Sequence, residues 1–206
     1  MVGSLMHLTA TRPDLMYVVR LIYRFMESPK DSHWKVGKII LRYVVGTVGH
    51  GLWYTRTSEC TLTGYKDNGF AGCIDDWKRK SGYAFHFGTS LISWASKKYP
   101  IVSLSSAEAE YVAATTIACH AVWLRRLLKD MGHTVKDTTT IFYDNISAID
   151  LSKNHVFHKK SKHIDTHYHF IHELVKEGQI NLLFCGSKEQ LDDMFRKSLG
   201  KLSFEY

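Results

Sequence analysis

The chain has 206 residues, of which 45% are hydrophobic and 23% are charged, as in an ordinary soluble globular protein. Its formal net charge of +7 favours an anionic partner such as nucleic acid, although a charge of this size also serves solubility alone. The four cysteines form no CxxC pair, which argues against a zinc knuckle or a disulfide framework. No apolar run has membrane-spanning length, and the N-terminal residues lack the apolar core of a signal peptide. We therefore expect an intracellular protein without a membrane partner.

The first 56 residues are predicted to form two helices. Arg12-Pro13-Asp14 begins the first, over 12–27, because proline suits the first turn of a helix. The second is predicted over 32–45, before Gly46. A helical pair of this size is too small for a hydrophobic core of its own.

The rest of the chain changes from strand to helix periodicity several times. Strands are predicted at 51–55, 61–67, 81–87, 90–96, 138–143 and 179–185, and helices at 105–131, 146–151, 163–176 and 187–199. Ser105 and Glu108 form a capping box, and Gly132 and Gly178 are placed to end helices. A meander followed by alternating helices and strands predicts an α/β fold with a mixed sheet and helices packed on it.

Four acidic residues occupy positions where α/β proteins place their chemistry. Asp144 ends an apolar strand, Asp67 lies near the end of the first meander strand, and Asp193 lies in the last helix, about eight residues after an apolar strand. Glu110 continues the apolar stripe Ala113, Ile117, Ala121, Leu124 and Leu128 of the long helix. Helix capping, turn formation and the helix dipole are the ordinary alternatives for each residue. Together the four would repel one another unless cations lay between them, as in two-metal phosphodiester sites.

Ordered motifs run along nearly the whole chain. They are 2–14, 41–47, Gly64-Tyr-Lys-Asp67, Phe70-Ala-Gly72, Ser81-Gly-Tyr83, Ile92-Ser-Trp94, Ser96-Lys-Lys98, Ser105-Ser-Ala-Glu-Ala-Glu-Tyr111, Tyr143-Asp-Asn145, Lys162-His-Ile-Asp165, Tyr168-His-Phe170 and Glu189-Gln-Leu-Asp-Asp193. The series resembles the C-terminal part of the Pol polyprotein of copia-type LTR retrotransposons, where the end of the reverse transcriptase is followed by an RNase H domain.

The resemblance implies an RNase H-like fold, with a mixed five-stranded sheet flanked by helices over 57–206. Residues 1–56 would be a helical remnant of the reverse transcriptase thumb or connection. The implied activity is metal-dependent endonucleolytic hydrolysis of RNA in RNA–DNA hybrids. The catalytic and metal-binding residues carried over from the family are Asp67, Glu110, Asp144 and Asp193. They would hold two Mg²⁺ ions, which Mn²⁺ can replace, and no small-molecule cofactor is implied.

Basic and polar side chains near these acids are candidates for binding the nucleic acid. They are Lys78, Arg79, Lys80, Lys97, Lys98, Asn145, Lys159, Lys160, Lys162 and His163, with Arg125 and Arg126 as further phosphate candidates. A solvated charge run is the alternative for 159–163. A zinc site among the histidines of 155–172 is a weaker alternative, because zinc needs three or four converging ligands.

Several residues depart from the family pattern. Gly69 and Phe70 stand where the family has Asp and Trp, and Arg79 and Lys80 replace two hydroxyl residues. The segment 195–199 is also altered, and 186–188 holds no histidine. These departures favour the alternative function, a catalytically inactive nucleic-acid-binding remnant or a co-opted, effector-like interaction protein. An effector ranks below the enzyme, because the chain has no Arg-x-Leu-Arg string.

The chain also contains no Tyr-x-Asp-Asp motif. We therefore expect no DNA polymerisation, and a reverse transcriptase palm would have to be supplied elsewhere. Because 1–56 would pack on that palm, exposed apolar surface is predicted there.

Overall fold

A five-stranded mixed sheet forms the centre of the protein. The computed structural model describes residues 1–56, 61–69, 80–98, 106–144, 146, 149 and 162–186, with the backbone alone at 67–69, 80–81, 97–98, 106–112 and 162–168. The strands are β1 (Leu62–Gly69), β2 (Lys80–Phe87), β3 (Ser90–Lys98), β4 (Thr139–Tyr143) and β5 (Ile180–Phe184), in the order β3-β2-β1-β4-β5. The first three strands pair antiparallel as a meander, and β4 and β5 run parallel to β1. The predicted fold class is confirmed.

Two helices cover one face of the sheet. They are α4 (Ser106–Asp130) and α5 (Lys162–Lys176), which follow three helices nearer the N-terminus. The stripe predicted on α4 is buried from Ala113 to Leu128 and packs on Phe85 and Ile141 of the sheet. Strand β4 alternates buried and half-buried residues, as its sequence predicts. The main hydrophobic core therefore lies between α4, α5 and this face of the sheet.

The N-terminal segment contains α1 (Val2–Leu8), a 3-10 turn (Pro13–Leu15), α2 (Met16–Tyr23) and α3 (Asp31–Gly46). These helices share a small cluster that includes Leu5, Val19 and Ile40. Met16 of α2 packs on Ala84 of β2, on the face opposite α4, because successive strand residues alternate between the faces. The helical segment is thus a third layer on the sheet.

Most boundaries agree with the sequence predictions to within a few residues, and Gly132 and Gly178 adopt φ angles of 86° and 67° where α4 and α5 end. Helix α1 was not predicted. The strand predicted at 51–55 is wrong: this segment is described but pairs with no described strand, and Trp53 is 85% exposed. A strand needs a neighbour to accept its backbone hydrogen bonds, which periodicity does not report.

The remaining expectations concern the C-terminal helices, the surface of 1–56, membrane-spanning helices and the division into domains. The helix predicted at 187–199 and most of the one at 146–151 lie outside the described residues. The apolar surface expected on 1–56 is present, with Trp34, Ile39 and Val45 all more than half exposed. No helix in the described ranges combines the length and hydropathy needed to cross a bilayer. The division of the chain after residue 56 stays a prediction.

Candidate active site

The pairing of β1 with β4 brings two of the four predicted acids side by side. The strands are parallel, and their last paired residues are Lys66 and Tyr143. The next residue on each strand is acidic, Asp67 on β1 and Asp144 directly after β4. Neighbouring strands lie about 4.8 Å apart, so the two backbones present their acids at the same edge of the sheet.

Asp144 is the acid of this set whose side chain the structure describes. Its Oδ1 is buried and has no hydrogen-bond partner among the described residues. A buried carboxylate oxygen without a donor is costly, because it loses its hydration and gains nothing in return. Such an oxygen is well suited to act as a ligand of a metal cation.

A stacked aromatic pair lies two residues before these acids. Tyr65 and Phe142 are register partners on β1 and β4, and their ring centroids are 5.0 Å apart with an interplanar angle of 25°. Burial raises the pKa of Tyr65, and the nearby thiol of Cys185 adds to the shift. Tyr65 therefore keeps its proton at neutral pH and adds no charge to the acidic edge.

Two side-chain contacts show the direction in which α4 crosses the sheet. Arg125 donates a hydrogen bond of 2.9 Å from Nη1 to Oγ1 of Thr139, at the start of β4. Five residues earlier in the helix, Nε2 of His120 is hydrogen-bonded to Oγ of Ser93 at 2.9 Å. Ser93 lies in the same cross-strand row as Ile141, two residues beyond Thr139. Helix α4 therefore runs antiparallel to β1 and β4.

This direction carries the first turns of α4 to the acidic edge. Glu110 precedes His120 by ten residues, about 15 Å along the helix axis. Asp144 follows Ile141 by three residues, about 10 Å along the strand. The backbone of α4 thus passes the level of Asp67 and Asp144 on the α4 side of the sheet, and Glu110 lies about 5 Å beyond that level.

The same end of the sheet carries three of the predicted basic residues. In the pairing of β2 with β3, Lys80 lies opposite Lys98, and Ser81 lies opposite Lys97. Asp67 pairs with Gly82, the residue directly after Ser81. The backbone therefore places these lysines beside the acids, within one or two cross-strand rows.

Other predicted site residues receive little or no structural description. Asp193, Lys78, Arg79, Asn145, Lys159 and Lys160 lie outside the described residues. Lys162 and His163 are the first two residues of α5, and only their backbone is described. Within the described side chains no group of three or more His, Cys, Asp or Glu could hold a metal ion. The proposed carboxylate set stays a prediction, since Asp144 is its one described side chain.

Arg125, a further phosphate candidate, uses much of its guanidinium within the fold, and its role in phosphate binding stays a prediction. Besides Thr139, it donates to the backbone oxygens of Asp137 at 2.7 Å and of Val135 at 3.0 Å. Arg126 is exposed and stays a phosphate candidate. A pair of arginines in sequence does not reveal which one will meet free carbonyl groups in the fold.

Lys66 is the residue of this region that sequence reasoning missed. It is only 2% exposed and is among the largest fully buried side chains. The sequence gives only a weak signal for this residue. Lys66 lies with the buried residues Leu62 and Gly64 on one face of the alternating strand, where an apolar residue is expected.

Curated proteins similar to this chain include Pol polyproteins from transposons of two plants and a protein of Plasmopara viticola. No protein-family model matches the chain. It is 42% identical over 205 residues to the retrovirus-related Pol polyprotein from transposon TNT 1-94 of Nicotiana tabacum, covering 99% of this chain and 15% of the relative. It is 37% identical over 204 residues to the Pol polyprotein from transposon RE2 of Arabidopsis thaliana, covering 99% of this chain and 14% of the relative. The chain thus spans about a seventh of these relatives.

A shorter relative covers less of the chain. The chain is 40% identical over 124 residues to a protein named secreted RxLR effector protein 161 of Plasmopara viticola, over 60% of this chain and 87% of that protein.

Solved structures resemble the fold at much lower sequence identity. LC11-RNase H1 in complex with an RNA/DNA hybrid matches with a TM-score of 0.46 and 12% identity, over 64% of this chain and 89% of that chain. Assignment to a family therefore rests on the sequence relatives, which match nearly every residue of the chain. The chain belongs to the copia-type family of retrovirus-related Pol polyproteins from transposons.

Proposed function

We propose that this protein is a metal-dependent endoribonuclease that hydrolyses the RNA strand of RNA–DNA hybrids. The observation that carries the proposal is the parallel pairing of β1 with β4, which sets Asp67 and Asp144 side by side at one edge of the sheet. The approach of α4 to that edge supports Glu110 as a third carboxylate. Asp193 is proposed as the fourth. In this proposal 57–206 is the nuclease domain, and 1–56 is a remnant of the reverse transcriptase thumb or connection.

The residues at this edge fit divalent cations. Carboxylate oxygens are the ligands that Mg²⁺ prefers, and the buried Oδ1 of Asp144 has no other described partner. Asp67, Glu110, Asp144 and Asp193 would hold two Mg²⁺, with Mn²⁺ as a substitute. Such ions supply activation of a water nucleophile and stabilisation of charge on the leaving oxygen. The carboxylates position the ions, and the apolar core under α4 fixes the helix that carries Glu110.

The basic residues around this edge are proposed to hold the hybrid by its phosphates. Lys80, Lys97 and Lys98 lie within two cross-strand rows of Asp67. Lys78, Arg79, Asn145, Lys159, Lys160, Lys162 and His163 complete the proposed binding set. Contacts to phosphate carry no base information, so the hybrid would be recognised with little sequence preference. We further propose an intracellular setting and a reverse transcriptase palm supplied by another part of the Pol polyprotein.

The proposal is tested by cleavage of a labelled RNA–DNA hybrid by the full chain, with Mg²⁺ or Mn²⁺ and with EDTA. We expect metal-dependent cutting of the RNA strand that Asp144→Asn abolishes. Asp137→Asn, at an exposed residue near the opposite end of β4, is the matched control and should cut like the wild type. Failure of the wild type to cut, with the fold intact, would exclude the enzyme.

A second candidate function is binding without catalysis, in a remnant or a co-opted interaction protein. Two observations favour it: Gly69 and Phe70 replace family residues beside Asp67, and 124 residues resemble a protein named as a secreted effector. A gel-shift titration with the same hybrid distinguishes the candidates. Salt-sensitive binding without cleavage would support the remnant, and cleavage would exclude it.

A further inference from the structure

A buried lysine lies within the candidate active site. Lys66 directly precedes Asp67, and its register partner Tyr143 directly precedes Asp144. By strand spacing and rise, the Cα atoms of Lys66 and Asp144 are about 6 Å apart. A side chain with a formal positive charge and 2% exposure to solvent thus lies one cross-strand row before two residues proposed to bind cations.

Lys66 lies on the face of β1 that α4 covers. Leu62 belongs to the core cluster under α4. Residues two apart on a strand share a face, so Gly64 and Lys66 lie on the same face as Leu62. Buried Tyr143 lies beside Lys66 on the same face. Lys66 is therefore on the side from which α4 brings Glu110.

The strand register shows which part of α4 lies level with Lys66. Lys66 is two residues beyond Gly64, the residue in the same row as Ser93 and therefore level with His120. That offset is about 6.6 Å along the strand, which equals the length of about four to five helix residues. This position corresponds to about residue 115 or 116, less than one turn from the buried Ala113 and Ala114. Lys66 therefore lies beneath about the third turn of α4, about five to six residues along the helix from Glu110.

Burial of an ammonium group is costly unless carboxylates or other acceptors surround it. The acidic edge provides carboxylates next to it, because Lys66 directly precedes Asp67 and its register partner Tyr143 directly precedes Asp144. We propose that Lys66 is a positioning residue that compensates the carboxylate charge when no divalent ion is bound and weakens the binding of that ion. This inference rests on the proposed metal site but goes beyond it, since it assigns the site a fixed internal cation.

Two consequences follow from the charge. A divalent ion must enter a site that already holds one positive charge, so its affinity is lower than four carboxylates alone would give. Without an ion, the same charge keeps the carboxylates from repelling one another, so the fold is less dependent on metal. Removal of the charge should tighten ion binding and make the stability of the fold depend more on the ion.

The test is calorimetric titration of Mn²⁺ into the full chain at neutral pH. We expect Lys66→Met, which keeps the length and apolar stem of the side chain, to lower the Kd for Mn²⁺ about tenfold, the order expected for a screened charge pair. Lys129→Met, at an exposed residue in the last turn of α4, is the control and should bind Mn²⁺ like the wild type. Thermal unfolding with EDTA and with Mn²⁺ should show a larger metal-induced rise in Tm for Lys66→Met than for the wild type.

The outcomes separate this inference from the proposed function. Mn²⁺ binding by the wild type that Asp144→Asn removes but Lys66→Met leaves unchanged or weakens would overturn the role of Lys66 and keep the metal site. Absence of Mn²⁺ binding in both the wild type and Lys66→Met would overturn the metal site itself. Binding that emerges only in Lys66→Met would support the inference strongly. If Lys66→Met does not fold, Lys66→Gln provides the same comparison with a polar side chain.

Discussion

The indole Nε1 of Trp94 on β3 donates a hydrogen bond of 3.1 Å to the backbone oxygen of Thr9, which follows α1. This bond joins the N-terminal helices to the sheet across 85 residues of sequence. The contact of Met16 with Ala84 lies in the same region. Segment 1–56 is therefore attached to the sheet face opposite α4, even though it was predicted to need an external partner.

Loss of the Trp94 hydrogen bond should weaken this attachment. Trp94→Phe removes the donor and leaves the half-buried carbonyl of Thr9 without it, so we expect the free energy of unfolding to fall by about 1–2 kcal/mol. Urea denaturation followed by circular dichroism measures the change. Trp53→Phe, at an indole that is 85% exposed, is the control and should change stability by less than about 0.5 kcal/mol. Equal losses in the two variants would argue against the attachment.

Arg125 should matter for stability much more than its neighbour. Arg125→Met removes hydrogen bonds to Val135, Asp137 and Thr139, and we expect a loss of about 1–2 kcal/mol after allowing for partial exposure. Arg126→Met is the matched control at an exposed position and should stay within about 0.5 kcal/mol of the wild type. Similar effects of the two substitutions would contradict the structural role of Arg125.

Gly64 is required because Phe85 packs directly over it. A Cβ atom at position 64 would lie 2.7 Å from Cε1 of the Phe85 ring, which is fully buried. We expect Gly64→Ala to destabilise the protein by about 1–3 kcal/mol through displacement of that ring. Gly46→Ala, at a site with no atom within 4 Å of the added carbon, should be close to neutral. Thermal unfolding of both variants tests the difference.

His86 should make stability depend on pH in the acid range. Burial lowers the pKa of its imidazole below 6.5, although a hydrogen bond with the backbone at Thr89 opposes the shift. The unfolded chain then takes up this proton at a higher pH than the folded chain does. The stability associated with neutral His86 is therefore complete above the unfolded pKa and is lost as the pH falls from that value through the lower folded pKa.

The measurement is urea denaturation of the wild type and His86→Gln at about pH 7.5 and about pH 5.5. We expect the wild type to lose more stability than the variant on acidification. An NMR titration of His86 in the folded protein should show protonation at a pH below the ordinary histidine value. An identical pH dependence in the two proteins would contradict burial as the cause.

The sequence by itself determined the local elements and much of the candidate site. The spacing of apolar residues predicted α4 and its buried stripe, because a helix brings every third or fourth residue to one face. Gly132 and Gly178 marked helix ends, since glycine accepts positive φ at little cost. The acids at the ends of strands predicted a site at one edge of the sheet. The ordered motifs identified the family that the sequence relatives show.

Only the tertiary structure decided which residues meet. It paired β1 with β4, so that Asp67 and Asp144 became neighbours across 77 residues of chain, and it left 51–55 without a partner among the described strands. It also buried Lys66 at the acidic edge and used Arg125 to bind carbonyl groups. Periodicity reports which side of an element faces the core, because it is a local property of the chain. Strand register, and the partners of a charged side chain, depend on contacts between segments far apart in sequence, which local patterns do not encode.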